Sequence, residues 1–216
     1  MDISWTTIIV VILLIIIGYF IWRTVSSSSS NSTGTTKLNN TTTLKTLTPT
    51  TSFTFSTWIA IDTWGGGGNN IIKTTESTPD FSLTLGTNTN DLILKIGTTN
   101  TTISNIVPLQ TWASIIVSVN NGNSADIYVN GKLVRTVALT KTYNLTAGSV
   151  TVGGSSTGST GYISTTFDKN SIGPQEAWNI YSSGYGSGNG VSDFFNKYKL
   201  RFAFVKDNVE LSRLDI

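Results

Sequence analysis

The chain has 216 residues, of which 12% are charged, and its 14 basic and 12 acidic side chains leave a net charge of +2. This balance disfavours nucleic-acid binding, which needs concentrated basic residues to neutralise phosphates. The modest basic cluster near the C-terminus alternates along the chain, as is typical of the solvent-exposed face of a strand. That cluster consists of Lys197, Lys199, Arg201 and Lys206. The lack of cysteine and histidine excludes disulfides, thiolate catalysis, Cys-based zinc sites and histidine general bases.

Residues 3–22 carry no charge and centre on the run IIVVILLIIIGYFIW. A helix of this length spans about 30 Å, the thickness of the hydrocarbon core of a bilayer. A cleaved signal peptide is the alternative, but Asp2 and the bulky residues before Arg23 do not suit its basic start and small-residue cleavage site. The sequence therefore predicts a single-pass transmembrane anchor over residues 1–23, with the lipid bilayer as the partner of residues 3–22.

The orientation of this anchor follows from the nearest basic residues, Arg23 and Lys37, which both lie after it. The positive-inside rule then predicts that the C-terminal domain lies on the cytosolic side. The alternative is a lumenal or extracellular domain with glycosylated N-x-S/T sequons. Such sequons begin at Asn31, Asn39, Asn40, Asn100 and Asn144.

Residues 24–43 are rich in serine, threonine and asparagine, and this composition predicts a flexible linker. From residue 44 to residue 216 the pattern is typical of short antiparallel strands separated by turns. Predicted strands include 70–74, 81–85, 91–96, 101–107, 113–119, 125–129 and 132–137, with closing strands at 197–205 and 209–214. Asn130-Gly131 is the dipeptide that favours a two-residue type I′ hairpin. The run SIGPQEAWNIY predicts one helix, with Ala177, Ile180 and Tyr181 on one face.

Four fragments carry a resemblance to a known family. Residues 109–137, LQTWASIIVSVNNGNSADIYVNGKLVRTV, resemble the central hairpin of laminin-G-like, concanavalin A-like jelly-roll domains. In the same order as in that family, residues 53–62 (FTFSTWIAID) resemble its early F-S-x-W-I-K strand, and residues 70–73 its I-I-S-K strand. Residues 161–163 and 174–176 resemble its late G-x-I-D-E strand and its short S-P-E-E helix. The resemblance implies an all-β, antiparallel jelly-roll sandwich over residues 44–216.

The departures from that family argue against catalysis and metal binding. Ser164-Thr165 stands where the family has an acidic pair, and Asp62, Asp126 and Asp168 are isolated, so we expect turn or edge roles for them rather than calcium binding. Glucanases of this fold use E-x-D-x-x-E to place two carboxyls about 5 Å apart. No glutamate of the chain lies in such a motif. We therefore predict a protein that is not an enzyme and needs no cofactor.

Aromatic side chains beside glycine-rich loops are the candidate ligand contacts. Trp64, Trp178 and Tyr185 are of this kind, because an exposed ring can stack on the apolar face of a sugar. The competing interpretation is structural, with Trp178 docking the helix and Trp64 capping a sheet edge. Trp64 precedes four glycines, but these lack the G-K-[S/T] ending of a phosphate-binding loop. Trp58 and Trp112, inside predicted strands, are expected in the core.

Two functions are compatible with these sequence features. The first is a membrane-anchored structural protein that links a membrane to neighbouring proteins of an assembly, such as a minor capsid protein of a large DNA virus with an internal membrane. Similar jelly rolls occur in such virions. The alternative is a cell-surface, lectin-like module that binds glycans or mediates adhesion, as laminin-G-like domains generally do.

Overall fold

A computed structural model describes residues 18–19, 31–45, 47–66, 69–75, 80–146, 148–154, 159–185, 201–206 and 209–215. The chain separates into two compact units, one of residues 30–185 and one that joins residues 1–29 to residues 186–216. The larger unit is an all-β sandwich with one helix, as the sequence predicts. The smaller unit contains a hairpin of two strands.

The sandwich consists of two antiparallel sheets. Its strands are β1 (Asn31–Ser32), β2 (Thr36–Lys37), β3 (Thr41–Lys45), β4 (Phe53–Thr63), β5 (Asn69–Thr74), β6 (Phe81–Leu85), β7 (Leu92–Ile96), β8 (Thr99–Ile103), β9 (Trp112–Asn120), β10 (Ser124–Val129), β11 (Lys132–Ala138), β12 (Ser149–Gly153) and β13 (Thr160–Asp168). Sheet I has the order β1-β13-β4-β9-β10-β11, and β2 also pairs with β13. Sheet II has the order β3-β12-β5-β6-β7-β8. One helix, α1 (Pro174–Ser183), follows β13.

The core lies between the two sheets and is built from alternate residues of their strands. Along β4 the odd-numbered positions from Phe53 to Ile61 are buried, and on β9 the odd-numbered positions from Ala113 to Val119 are buried. Because successive side chains of a strand point to opposite faces, these residues all face sheet II. Phenylalanine rings fill the centre, where Phe55 lies 5.0 Å from Phe81 and 5.1 Å from Phe167 between ring centroids.

The turns follow their local sequence. Asn130 and Gly131 have φ values of 49° and 74°, and Val129 pairs with Lys132, so the predicted two-residue hairpin is confirmed. The strand predicted over 101–107 is wrong beyond Ile103. Asn105 has a φ of 54° and its N–H donates to Asp91 Oδ1 at 2.8 Å, which turns the chain out of the sheet.

Residues 31–43, predicted as part of a flexible linker, are instead part of the sandwich. β1 and β2 pair with β13, and β3 pairs with β12. The N–H of Leu38 donates to Gly161 O at 2.9 Å, and the Leu38 side chain is fully buried. Threonine suits a pleated sheet because its branched Cβ fits the extended backbone, so a polar, low-complexity stretch joins the sheets as edge strands.

The last two strands, β14 (Arg201–Lys206) and β15 (Val209–Asp215), were predicted to close the sandwich. They instead pair with each other in a separate two-stranded sheet of the smaller unit. The predicted anchor at residues 3–22 lies outside the described residues, apart from the helical pair Gly18 and Tyr19. In the described part of the chain, no helix has the length and apolar character needed to cross a membrane.

Candidate functional site

Helix α1 covers part of the outer face of sheet I. Ala177 packs in a small apolar cluster with Ile116 and Tyr128, which point away from the main core. The segment before the helix is fixed by buried hydroxyls, since the Ile172 N–H donates to Ser118 Oγ at 2.8 Å and Thr54 Oγ1 donates to Asn170 O at 2.7 Å. Burial, together with the carboxylate of Asp126, raises the pKa of the Tyr128 phenol above its usual value.

Aromatic side chains from the sheet and the helix meet beside this contact. The ring of Tyr181 stacks on Trp58 at a centroid distance of 6.0 Å. The ring of Tyr185, one residue beyond the Gly184 C-cap, stacks on Trp112 at 3.7 Å with an interplanar angle of 14°. The Tyr185 hydroxyl also forms a hydrogen bond with Thr35 Oγ1. The end of the helix is thereby attached both to β9 and to the segment before β2.

A depression of about 410 Å³ lies next to these rings on the same outer face. Ala60 on β4 forms its floor, and Tyr162 on β13 and Trp112 on β9 form two of its walls. The three residues are cross-strand neighbours in one row, because Ala60 pairs with both Tyr162 and Trp112. Two strand spacings separate the aromatic residues by about 10 Å. The small Ala60 side chain lies between them at the floor of the depression.

The rest of the lining is polar and carries one charged group. Asp62, Gln110, Thr111 and Thr35 complete the depression. The lining thus offers a carboxylate, an amide and hydroxyls, and it contains no lysine or arginine. Such a combination of apolar rings with a few polar groups is typical of small-molecule sites, and the volume lies in their usual range of about 300–1,000 Å³.

Gln110 marks this rim as conformationally unusual. It has a φ of 57°, and its N–H donates to Ile61 O at 2.8 Å. Left-handed backbone favours glycine and asparagine, and the other non-glycine residues with positive φ in the described chain are all asparagines. Strained backbone of this kind costs about 1–3 kcal/mol and clusters at functional sites.

A second, wider groove of about 770 Å³ lies around the turn between β2 and β3. Its lining consists of hydroxyls, amides and Lys37, with no aromatic side chain among Thr35, Thr36, Lys37, Asn39, Asn40, Thr41 and Thr42. Because it offers no aromatic ring for a ligand to stack on, we regard the aromatic depression as the candidate site.

The three aromatic residues predicted as ligand contacts lie in different environments. Trp64 packs against the main core, and its buried Nε1 has no hydrogen-bond partner among the described residues. Trp178 is 45% exposed and packs beside Gly131 of the β10–β11 turn. Tyr185 borders the depression through its contacts with Trp112 and Thr35. Their role as ligand contacts stays a prediction.

Trp58 and Trp112 were predicted in the core, and this is wrong. Both are half-buried on the outer face of sheet I, beneath Tyr181 and Tyr185. The alternation of inward-facing and outward-facing residues along a strand could have placed both tryptophans correctly. They occupy even-numbered positions on β4 and β9, whose core residues are odd-numbered. The same rule places Tyr162 outside, between buried Gly161 and Ile163.

The isolated aspartates have separate polar roles. Asp126 Oδ1 accepts a hydrogen bond of 2.6 Å from Thr136 Oγ1 on the neighbouring strand. Asp168 Oδ1 accepts one of 2.8 Å from the N–H of Asn170 in the turn after β13. Over the residues with described side chains, no group of three or more His, Cys, Asp or Glu is arranged to hold a metal ion.

Several solved structures share the fold of this chain. Two of them are the botulinum neurotoxin serotype G binding domain, at 15% identity with a TM-score of 0.55 over 73% of this chain, and the botulinum neurotoxin serotype D ligand binding domain in complex with N-acetylneuraminic acid, at 13% identity with a TM-score of 0.54 over 70% of this chain. This chain covers 46% and 42% of those two chains, so it spans less than half of their length.

Sequence comparison gives a family. No curated protein matches the sequence. Residues 30–172 match the laminin-G family model described as the concanavalin A-like lectin/glucanases superfamily, and these residues contain all thirteen strands of the sandwich. The two-sheet jelly roll and this match over more than half of the sequence agree, and the chain belongs to the concanavalin A-like lectin/glucanases superfamily.

Proposed function

We propose that the sandwich is a non-catalytic binding module that takes a saccharide in the aromatic depression of sheet I. The observation that carries the proposal is the row Tyr162–Ala60–Trp112, which places two aromatic walls around a small floor. The C–H face of a sugar ring is apolar and slightly positive, so it suits the negative face of an aromatic ring. Asp62 and Gln110 supply acceptors and donors for the sugar hydroxyls.

The charge of the lining favours uncharged sugars. Asp62 is exposed, and no lysine or arginine lines the depression. An anionic sugar bound close to that carboxylate meets a repulsion on the order of 1 kcal/mol in a solvated site, or about fivefold in affinity. N-acetylneuraminic acid, the ligand in the serotype D structure, is therefore the informative comparison, and we expect it to bind more weakly here than neutral hexoses.

Titration calorimetry of the full-length chain with neutral oligosaccharides selected on a glycan array tests this function. We expect Tyr162→Ala and Asp62→Asn each to weaken binding about tenfold, because each removes an interaction of about 1.4 kcal/mol or more. Tyr162 is 43% exposed, so its loss leaves the core intact. Leu133→Ala, at a similarly exposed residue on β11, is the control and should bind normally. Unchanged affinity in Tyr162→Ala would place the ligand elsewhere.

The second candidate function is a structural link between a membrane and a protein assembly, including a minor capsid protein at an internal virion membrane. What favours it is the uncharged segment of residues 3–22, followed by Arg23 and Lys37. On this proposal the sandwich lies on the cytosolic side and contacts neighbouring proteins. A cell-surface glycan-binding module instead requires the opposite orientation.

Protease protection in native membranes, with mass analysis of the sequons, separates the two candidates. Asn39, Asn40, Asn100 and Asn144 are exposed, so a lumenal or extracellular sandwich offers them to the glycosylation machinery. The linking function predicts protease access from the cytosolic side and no glycan at these four residues. Glycans on any of them contradict that function and support the saccharide-binding module.

A further inference from the structure

Tyr185 contacts two residues that line the depression from opposite sides. Its ring stacks on Trp112 at 3.7 Å, and its hydroxyl is hydrogen-bonded to Thr35 Oγ1. Trp112 begins β9, whereas Thr35 immediately precedes β2 at the other side of β13. One side chain thus joins two residues that line the depression, and we name this pair of contacts the Thr35–Tyr185 clasp.

The position of Tyr185 is set by the end of helix α1. Gly184 has a φ of 85°, and its N–H donates to Tyr181 O at 3.0 Å, so the chain leaves the helix in a defined direction. Trp58 adds an edge-on contact, with its ring centroid 6.1 Å from that of Tyr185. Tyr185 is therefore held from three sides, by Trp58, Trp112 and Thr35.

We propose that Tyr185 is a positioning residue that keeps the depression in its binding shape by tying the two ends of the sandwich together. The sandwich begins at residue 30 and ends at residue 185, and the clasp joins residue 35 to residue 185. This inference rests on the proposed binding site and assigns Tyr185 a supporting role rather than the direct ligand contact that the sequence predicts.

The physical reason is preorganisation. A stacked tyrosine covers one side of the Trp112 ring and limits its rotation, so a ligand that packs against the indole does not have to order it. The hydrogen bond fixes Thr35 in the same way. Ligand binding and clasp formation are then thermodynamically linked. The factor by which the formed clasp raises the ligand affinity equals the factor by which the bound ligand raises the equilibrium constant for clasp formation.

Hydrogen exchange of the full-length chain tests the clasp without any ligand. The N–H of Thr33 donates to Thr165 O at 3.0 Å and that of Leu38 to Gly161 O at 2.9 Å, so these amides report on the attachment of residues 33–38. We expect Thr35→Val and Tyr185→Phe each to raise their exchange about threefold, since each removes the same exposed hydrogen bond. The double variant should exchange no faster than either single variant.

Tyr185→Ala removes the stacked ring as well and should raise this exchange about tenfold or more. Leu133→Ala, at an exposed residue of β11, is the control variant, and the Leu145 N–H, which donates to Thr50 O at 2.9 Å elsewhere in the sandwich, is the control amide. Both controls should stay at the wild-type rate. Unchanged exchange in Tyr185→Ala, or additive effects of Thr35→Val and Tyr185→Phe, overturns the clasp.

Saccharide titration then separates this inference from the proposed function. Faster exchange in Tyr185→Ala together with about tenfold weaker sugar binding supports both. Faster exchange in a protein that binds no sugar leaves the clasp in place and contradicts only the proposed function. Wild-type sugar affinity in Tyr185→Ala contradicts the positioning role and leaves the binding function in place.

Discussion

Substituting alanine for Gly161 is expected to destabilise the sandwich by about 2–6 kcal/mol. A Cβ at this position would lie 2.0 Å from the backbone oxygen of Ala60, and the φ of 153° is one that L side chains rarely adopt. The unfavourable backbone conformation costs about 1–3 kcal/mol, and the forced separation of β13 from β4 costs a similar amount. Since Ala60 is the floor of the depression, the same shift distorts the candidate site.

Chemical denaturation of the full-length chain measures this effect, with Gly148→Ala as the matched control. Gly148 has no heavy atom within 4 Å of the added Cβ and no left-handed φ, so its replacement should change the free energy of unfolding by less than about 0.5 kcal/mol. Equal stabilities of the two variants would mean that β13 and β4 do not approach each other as closely as described.

Phe55→Ala is expected to lower the free energy of unfolding by about 3–5 kcal/mol. The Phe55 side chain is fully buried, and its ring contacts those of Phe53, Phe81 and Phe167, which come from both sheets. The substitution therefore opens a cavity where the sheets meet and removes three aromatic contacts. For a domain of this size the expected fall in melting temperature is about 10 °C.

Thermal unfolding monitored by circular dichroism checks this second result. Leu133→Ala is the control, because Leu133 is 47% exposed on β11 and its truncation should have little effect. Phe55→Leu should fall between the two, since it keeps part of the buried volume. A Phe55→Ala protein as stable as Leu133→Ala would contradict the central position of this ring.

The sequence was informative wherever local chemistry decides structure. Alternation of apolar residues predicted β4, β9 and β10, and Asn130-Gly131 predicted the hairpin, because strand periodicity and positive φ are local properties. It failed for β1 and β2, which are two residues long and are stabilised by pairing with β13 more than one hundred residues away. No local pattern reports such a partner.

For the candidate site, too, the sequence predicts the local features but not the long-range contacts. Alternation is enough to place Trp112, Tyr162, Ala60 and Asp62 on outer faces. Their meeting in one depression depends on the register of β13, β4 and β9, which comes from distant parts of the chain. The contact of Thr35 with Tyr185 joins residues 150 positions apart and had no signal in the sequence.

If the proposed anchor spans a membrane, the pairing of β1 with β13 limits the distance between the sandwich and that membrane. With the proposed anchor over residues 1–23, only residues 24–30 separate it from β1, and seven residues span at most about 25 Å in any conformation. The linker of residues 24–43 that the sequence predicted would have reached well over twice as far. A ligand or neighbour on the same membrane then meets the sandwich at high effective concentration, so even weak affinity gives substantial occupancy. The sandwich cannot contact a partner whose distance from the bilayer exceeds the combined length of residues 24–30 and the sandwich. This holds whatever the affinity of that partner.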